Sequence, residues 1–181
     1  MKTATINIPT LKAINLAAST EEIRYYLCGV NVTVATNTVT YVATDGHVLL
    51  YRRLDTAEPN TLLGSWIIPL EWSKKLKIPR SLPDADMSLT DDGFLRFSGP
   101  LDDLARPVEG TFPEYERVIP GSSPEDTGAA QFGGAYLAMF AKFAKLLDIG
   151  TPHVHHAGKR SPAAVTFSAA PPGTFGVIMP I

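Results

Sequence analysis

The chain has 181 residues, 45% of them apolar and 19% charged, with a mean hydropathy of +0.05, which supports a packed globular core and excludes both a disordered chain and a large multidomain enzyme. Sixteen Lys and Arg against 18 Asp and Glu leave a net charge of -2, so contact with phosphate has to come from a local basic face. The single cysteine, Cys28, excludes an intramolecular disulfide, the first residues hold no signal-length apolar run, and nothing approaches the about 18–20 apolar residues of a membrane span, so the expected address is the cytoplasm.

Ile6 and Ile8 alternate with Asn7, and Pro9-Thr10 precede Leu11, Ile14 and Leu16 at helical spacing, which predicts a short strand and then a capped helix. Val30, Val32 and Val34 alternate with polar residues, a turn falls at Thr36-Asn37, and Val39, Tyr41 and Ala43 resume the period of two, predicting a hairpin. Thr44-Asp45-Gly46 turns the chain again before an apolar strand from Val48 to Tyr51. The order then repeats. Trp66 to Ile68 is a strand, Pro69 stands where a helix begins, and Leu70 to Lys77 is a short helix ended by Pro79. Met87 and Leu89, the turn Asp91-Asp92-Gly93, and Leu95 and Phe97 form another hairpin, followed by a strand from Leu104 to Val108.

Pro120 to Gly128 has no apolar residue to bury and reads as a linker, giving a body at 1–120, a linker at 121–128 and a tail at 129–181. The tail repeats the order a third time: a helix from Ala135 to Leu147, then strands at His153 to His156, Ala164 to Phe167 and Phe175 to Met179. On that helix Leu137, Phe140, Ala141, Ala144 and Leu147 form the expected core stripe, opposite Lys142 and Lys145. Units of about 50 to 60 residues with one element order predict an α+β fold in which the copies stack side by side.

Catalytic chemistry finds little support in the residues. His153 and His155 share a strand face and could bind a transition metal, but no Cys, Asp or Glu follows within reach, and exposed strand histidines account for them. Cys28, in Tyr25-Tyr26-Leu27-Cys28-Gly29, reads as a buried core residue and not as a nucleophile. Asp102-Asp103, Asp91-Asp92 and Glu21-Glu22 are neighbours at turns or element ends, where the side chains diverge. There is no phosphate-cradling glycine loop, nucleophile elbow or zinc spacing. The expectation is a protein that is not an enzyme and carries no cofactor.

Arg24-Tyr25-Tyr26-Leu27, Val42-Ala43-Thr44-Asp45-Gly46-His47, the string from Glu109 to Pro120 and the terminal Val177-Ile178-Met179-Pro180-Ile181 resemble, in order and spacing, the bacterial sliding clamp, the beta subunit of the replicative DNA polymerase. The resemblance runs over residues 5–181. It implies the DNA clamp fold, with helices on one face of antiparallel sheets, residues 1–120 similar to the family's middle domain and residues 129–181 similar to the second half of its last domain. The family closes a ring through its first and third domains, so a conventional two-subunit ring is not expected from this material.

The resemblance further implies an apolar groove that binds short linear peptides of DNA polymerases, clamp loaders or repair proteins. The positions that match it are Leu27, Thr44, Gly46, His47, Leu49, Pro113, Arg117, Val118, Val177, Met179, Pro180 and Ile181. Aliphatic walls and a pliable Met suit Leu or Phe anchors, with polar groups fixing direction. Val48 stands where the family usually has a basic residue, which implies an altered peptide preference.

A clamp holds duplex DNA without reading bases, through Lys and Arg on its helices. The matching residues here are Lys12, Lys74, Lys75, Lys77, Arg80, Lys142 and Lys145, with Glu21 and Glu22 opposing them in the loop before Arg24. Such a face implies strongly salt-dependent binding in the range of roughly 10–100 µM. The tail either packs on its own body, giving a monomer, or pairs with a second copy's tail in a homo-oligomer. Two functions follow: a processivity factor in replication, or a monomeric adaptor or competitor that binds the same peptides without holding DNA.

Overall fold

The computed structural model describes residues 1–77, 82–120 and 129–181. Strand β1 (Ala4–Asn7) turns Ala4 and Ile6 inward and ends on Asn7, whose side chain accepts the Thr10 N–H at 3.0 Å and caps helix α1 (Ile8–Ile14). The helix therefore starts before Pro9-Thr10, with Pro9 in the first turn, where no intrahelical N–H is needed. Leu16 falls beyond it in a 3-10 turn, Asn15–Ala17. A second 3-10 segment, Glu22–Leu27, leads into the first hairpin.

Strands β2 (Gly29–Val34), β3 (Thr38–Thr44) and β4 (Val48–Asp55) form an antiparallel meander, with Val34 opposite Val39 and Thr44 opposite Leu49. β4 runs past Tyr51 through Arg52 and Arg53, because both of its edges are paired there. Strand β5 (Gly64–Pro69) and helix α2 (Leu70–Lys75) follow. Lys77 lies past the helix end, and Pro79 and Arg80 lie outside the described residues. Strands β6 (Asp84–Leu89), β7 (Leu95–Ser98) and β8 (Asp103–Ala105) complete the body. β8 stops short of Val108 because Pro107 offers no N–H to the ladder. Val108 instead bridges to Ile67 of β5.

The third unit comprises α3 (Gly134–Leu147), β9 (Pro152–His155), β10 (Ala163–Phe167) and β11 (Thr174–Ile178). The strands form a four-stranded sheet in the order β1-β6-β7-β8 and a seven-stranded sheet in the order β5-β2-β3-β4-β11-β10-β9. Each half of the body thus gives its leading strand to the other half's sheet. The third unit joins the body within the same chain, through β11 paired to β4 with Val177 opposite Leu49 and Ile178 opposite Val48.

One core fills the space between the sheets and the helices, built on Ile6, Ile8, Leu11, Ile14, Tyr41, Leu50, Phe97, Phe140 and Phe143. The Tyr41 hydroxyl accepts the Asn7 N–H at 2.8 Å, and burial pushes its phenol well above the ordinary value. α3 lies beside α1 and seats Phe143 against Phe167 of β10, with ring centroids 5.3 Å apart. Its buried stripe is Phe140, Phe143 and Ala144, whereas Leu137 and Ala141 are exposed. The buried stripe is rotated toward Phe143 and narrower than expected, because Phe143 packs on Phe167 of β10 while α3 lies beside α1. Cys28 is half-exposed rather than buried, since it closes the 3-10 segment just before β2 begins, with Sγ 3.4 Å from the Glu21 carbonyl.

On the opposite face of the seven-stranded sheet, Val42, Leu49 and Val177 make a smaller apolar cluster with Tyr51, Phe112, Tyr115 and Phe175. Among the described residues no helix is long and apolar enough to cross a membrane.

Candidate functional site

The segment after β8 crosses that outer face as a strap. The Val108 N–H donates to the Ile67 carbonyl at 2.9 Å, and a 3-10 turn at Tyr115–Val118 ends the crossing. Phe112 and Tyr115 meet edge to face at 6.3 Å, Tyr115 lies 6.2 Å from Tyr51, and Tyr51 stacks on Phe175 at 4.5 Å. Burial, reinforced by the Glu116 carboxylate, pushes the Tyr115 phenol up to about 12.

Facing the strap is the turn between β3 and β4. Asp45 accepts the N–H groups of His47 and Val48 at 2.8 and 3.0 Å, and the Thr44 hydroxyl donates to the Val48 carbonyl at 2.6 Å. Gly46 has φ +96°, and a Cβ there would stand 2.8 Å from Nη1 of Arg24. Arg24 ties its own loop to this turn by donating to the Asp45 carbonyl at 3.2 Å and to Glu21 at 2.6 Å. The Met179 N–H donates to the His47 carbonyl at 2.9 Å, fixing the chain after β11 against the same turn.

Between turn, strap and β11 lies a cavity of about 180 Å³. It gathers Leu27, Thr44, Gly46, His47, Leu49, Pro113, Val118, Val177 and Met179 from the expected set, and adds Val48, Glu114 and Tyr115. Three expected residues do not line it. Arg117 is drawn outward into an ion pair with Glu114, Pro180 lies past the last strand, and Ile181, 78% exposed, donates its N–H to the Gln131 carbonyl at 2.9 Å. Tyr136 stacks on His47, with centroids 6.1 Å apart, and adjoins the cavity's end; it was missed because it arrives from α3, far along the chain. Partial burial, then Asp45, raises the Tyr136 phenol.

The cavity walls are aliphatic, sulfur-bearing and aromatic, and its polar side chains are those of Thr44, His47, Glu114 and Tyr115. This set can accept apolar side chains and orient a backbone. Among the described residues no three His, Cys, Asp or Glu side chains converge to hold a metal, and His155 Nε2 lies 2.8 Å from the Thr166 hydroxyl.

The expected cationic residues other than Arg80, which lies outside the described residues, are on the helical side of the sheet. Lys142 and Lys145 are exposed on α3, and Lys75 and Lys77 are exposed at the end of α2. Two others are engaged: Lys12 donates to the Leu76 carbonyl at 2.5 Å, and Lys74 pairs with Glu71 at 2.9 Å.

The family described as DNA polymerase III beta subunit, central domain, matches residues 5–114. The beta sliding clamp of Pseudomonas aeruginosa is 32% identical over 110 residues, which are 59% of this chain and 29% of that protein. The sequence match therefore spans less than a third of that curated relative. The crystal structure of the Pseudomonas aeruginosa subunit beta superposes with a TM-score of 0.75 at 20% identity, covering 100% of this chain and 66% of that one. A sliding clamp from Bartonella birtlesii, solved bound to griselimycin, superposes with a TM-score of 0.75 at 19% identity over 99% of this chain and 66% of that chain. The folds agree along the whole chain, and the sequence match covers most of the body: the chain belongs to the DNA polymerase III beta subunit family, through its central domain.

Proposed function

We propose that this chain is a clamp-like, non-enzymatic component of DNA replication that captures linear peptides of polymerases, clamp loaders or repair proteins in the groove between β4, β11 and the strap. In this reading residues 1–120 act as one clamp domain and 129–181 as a half domain joined through 121–128, working in the cytoplasm. The observation that carries it is the single cavity holding nine of the twelve expected groove residues, drawn from four separate chain segments. The griselimycin-bound relative adds support, since a clamp of the same fold accepts a ligand.

The helical face supplies the second half of the proposal, a non-specific hold on duplex DNA through Lys75, Lys77, Lys142 and Lys145. The competing function, an adaptor or competitor that binds peptides without DNA, draws support from the pairing of Lys74 with Glu71, which offsets one charge on that face, and from the tethering of Lys12 to the Leu76 carbonyl. The test of the groove is Met179→Lys, read by fluorescence anisotropy with a labelled peptide carrying Leu and Phe anchors. A lysine among these apolar walls should weaken binding at least about tenfold, since a buried unpaired charge costs more than 1.4 kcal/mol. Unchanged affinity in a folded variant would remove the peptide from this cavity.

A further inference from the structure

A second cavity, of about 500 Å³, opens on the other side of the strap. Pro113, Glu114 and Tyr115 line both cavities, so the two are separated by the width of one chain segment. The floor of the second is polar where the neighbouring sheet surface is apolar. Ser65 Oγ donates to Asn31 Oδ1 at 2.9 Å, and Thr33 Oγ1 stands 3.0 Å from Ser65 Oγ. These oxygens sit on one face of the paired strands β2 and β5, where Thr33 stands opposite Ser65 and Asn31 opposite Ile67. Ile67 and Val108 supply apolar wall, and Glu114 and Glu116 stand at the rim.

Carboxylates stand on both sides of the groove. Glu114 and Glu116 flank it on the strap side, and Glu21 and Asp45 flank it beyond His47. Among the described residues Arg24 pairs with Glu21 and Arg117 with Glu114, which leaves Glu116 and Asp45 as the flanking carboxylates outside an ion pair. Among the described residues no Lys or Arg lines the groove itself, and Val48 is buried there. An apolar slot with acidic flanks complements a peptide whose apolar anchors are flanked by cations.

We infer that the cavity beneath the strap takes a lysine or arginine side chain from the same peptide whose apolar anchors fill the groove, an inference that rests on the groove reading above. The apolar stem lies along Pro113, Ile67 and Val108, and the cationic head meets the oxygens of Asn31, Thr33, Ser65 and Glu116. The strap then acts as a bar across which the peptide is anchored on both sides.

The test uses three fluorescein-labelled peptides with one Leu-Ala-Leu-Phe core, flanked on both sides by Lys, by Gln or by Glu, titrated by anisotropy at roughly 0.05 and 0.5 M salt. The Lys peptide should bind about tenfold tighter than the Glu peptide at low salt, with the gap shrinking to about threefold or less at high salt. Glu116→Gln should weaken the Lys peptide about threefold and leave the Gln peptide unchanged. Ser65→Leu, at an exposed position, fills the floor and should lower the affinity of the Lys peptide alone. Equal affinities for all three peptides, or tighter binding of the Glu peptide, would overturn the inference and leave the groove standing. A Lys preference untouched by Ser65→Leu would place the cation outside the cavity and overturn it as well. Failure of every peptide to bind would overturn the groove reading and this inference together.

Discussion

The junction between β11 and α3 rests on one glycine. An ideal Cβ on Gly176 would stand 2.3 Å from Cε1 and 3.1 Å from Cδ1 of Phe140, and 3.2 Å from the Leu49 carbonyl. Carbon atoms in contact normally stand about 3.5–4.0 Å apart, so the ring of Phe140 has to retreat by about 1 Å to admit one methyl group. Phe140 is only 1% exposed and cannot swing into solvent. Overpacking of this kind costs about 1–3 kcal/mol, and at this chain length each kcal/mol lowers Tm by about 2–4 °C, so Gly176→Ala should melt about 2–12 °C lower. Val177 and Met179 follow on the same segment, so peptide binding should weaken alongside stability. The assay is thermal and urea unfolding of Gly176→Ala, Phe140→Leu and the double variant. A smaller, more pliable side chain at 140 makes room for the methyl, so the double variant should be more stable than the sum of the single effects predicts. A wild-type Tm for Gly176→Ala, or strictly additive effects, would refute the seating of α3 on β11.

Three further outcomes follow from individual groups. Nε and Nη1 of Arg52 are buried without a partner and desolvation lowers its pKa, so Arg52→Met should raise stability by about 1 kcal/mol in urea titrations, and a loss would mean the guanidinium is paired. Tyr115, raised from 10.0 to about 12, keeps a proton that the unfolded chain releases, and Tyr41 is raised in the same sense, so stability should fall as pH rises from 10 toward 12; a flat urea midpoint over that window would contradict both burials. Lys142→Glu with Lys145→Glu should weaken binding of duplex DNA and flatten its salt dependence, whereas unchanged gel shifts would take α3 out of that contact.

The strands were legible because alternation survives in one dimension: Val30, Val32 and Val34 and their partners Val39, Tyr41 and Ala43 announce a hairpin without help from tertiary structure. What could not be read is where each strand goes. The exchange of β1 and β5 between sheets, and the pairing of β11 with β4, are contacts between distant segments that leave no periodicity behind. The rotated stripe of α3 has the same origin, since Phe143 is buried only because Phe167 and α1 converge on it. The groove was mostly legible through short strings such as Thr44-Asp45-Gly46-His47, whose turn chemistry is local. Glu114, Tyr115 and Tyr136 escaped because their place depends on the path of the strap and of α3.

The central claim is that one cavity, walled by β4, β11 and the strap, receives apolar peptide side chains. Methyl-resolved NMR tests it most directly, by adding the Leu-Ala-Leu-Phe peptide to the labelled chain and following the methyl groups of Leu27, Leu49, Val118, Val177 and Met179. The account predicts saturable shifts at all five, with the core methyl groups of Ile6, Leu11 and Ile14 unmoved. Shifts confined to other residues, or none at peptide saturation, would contradict it.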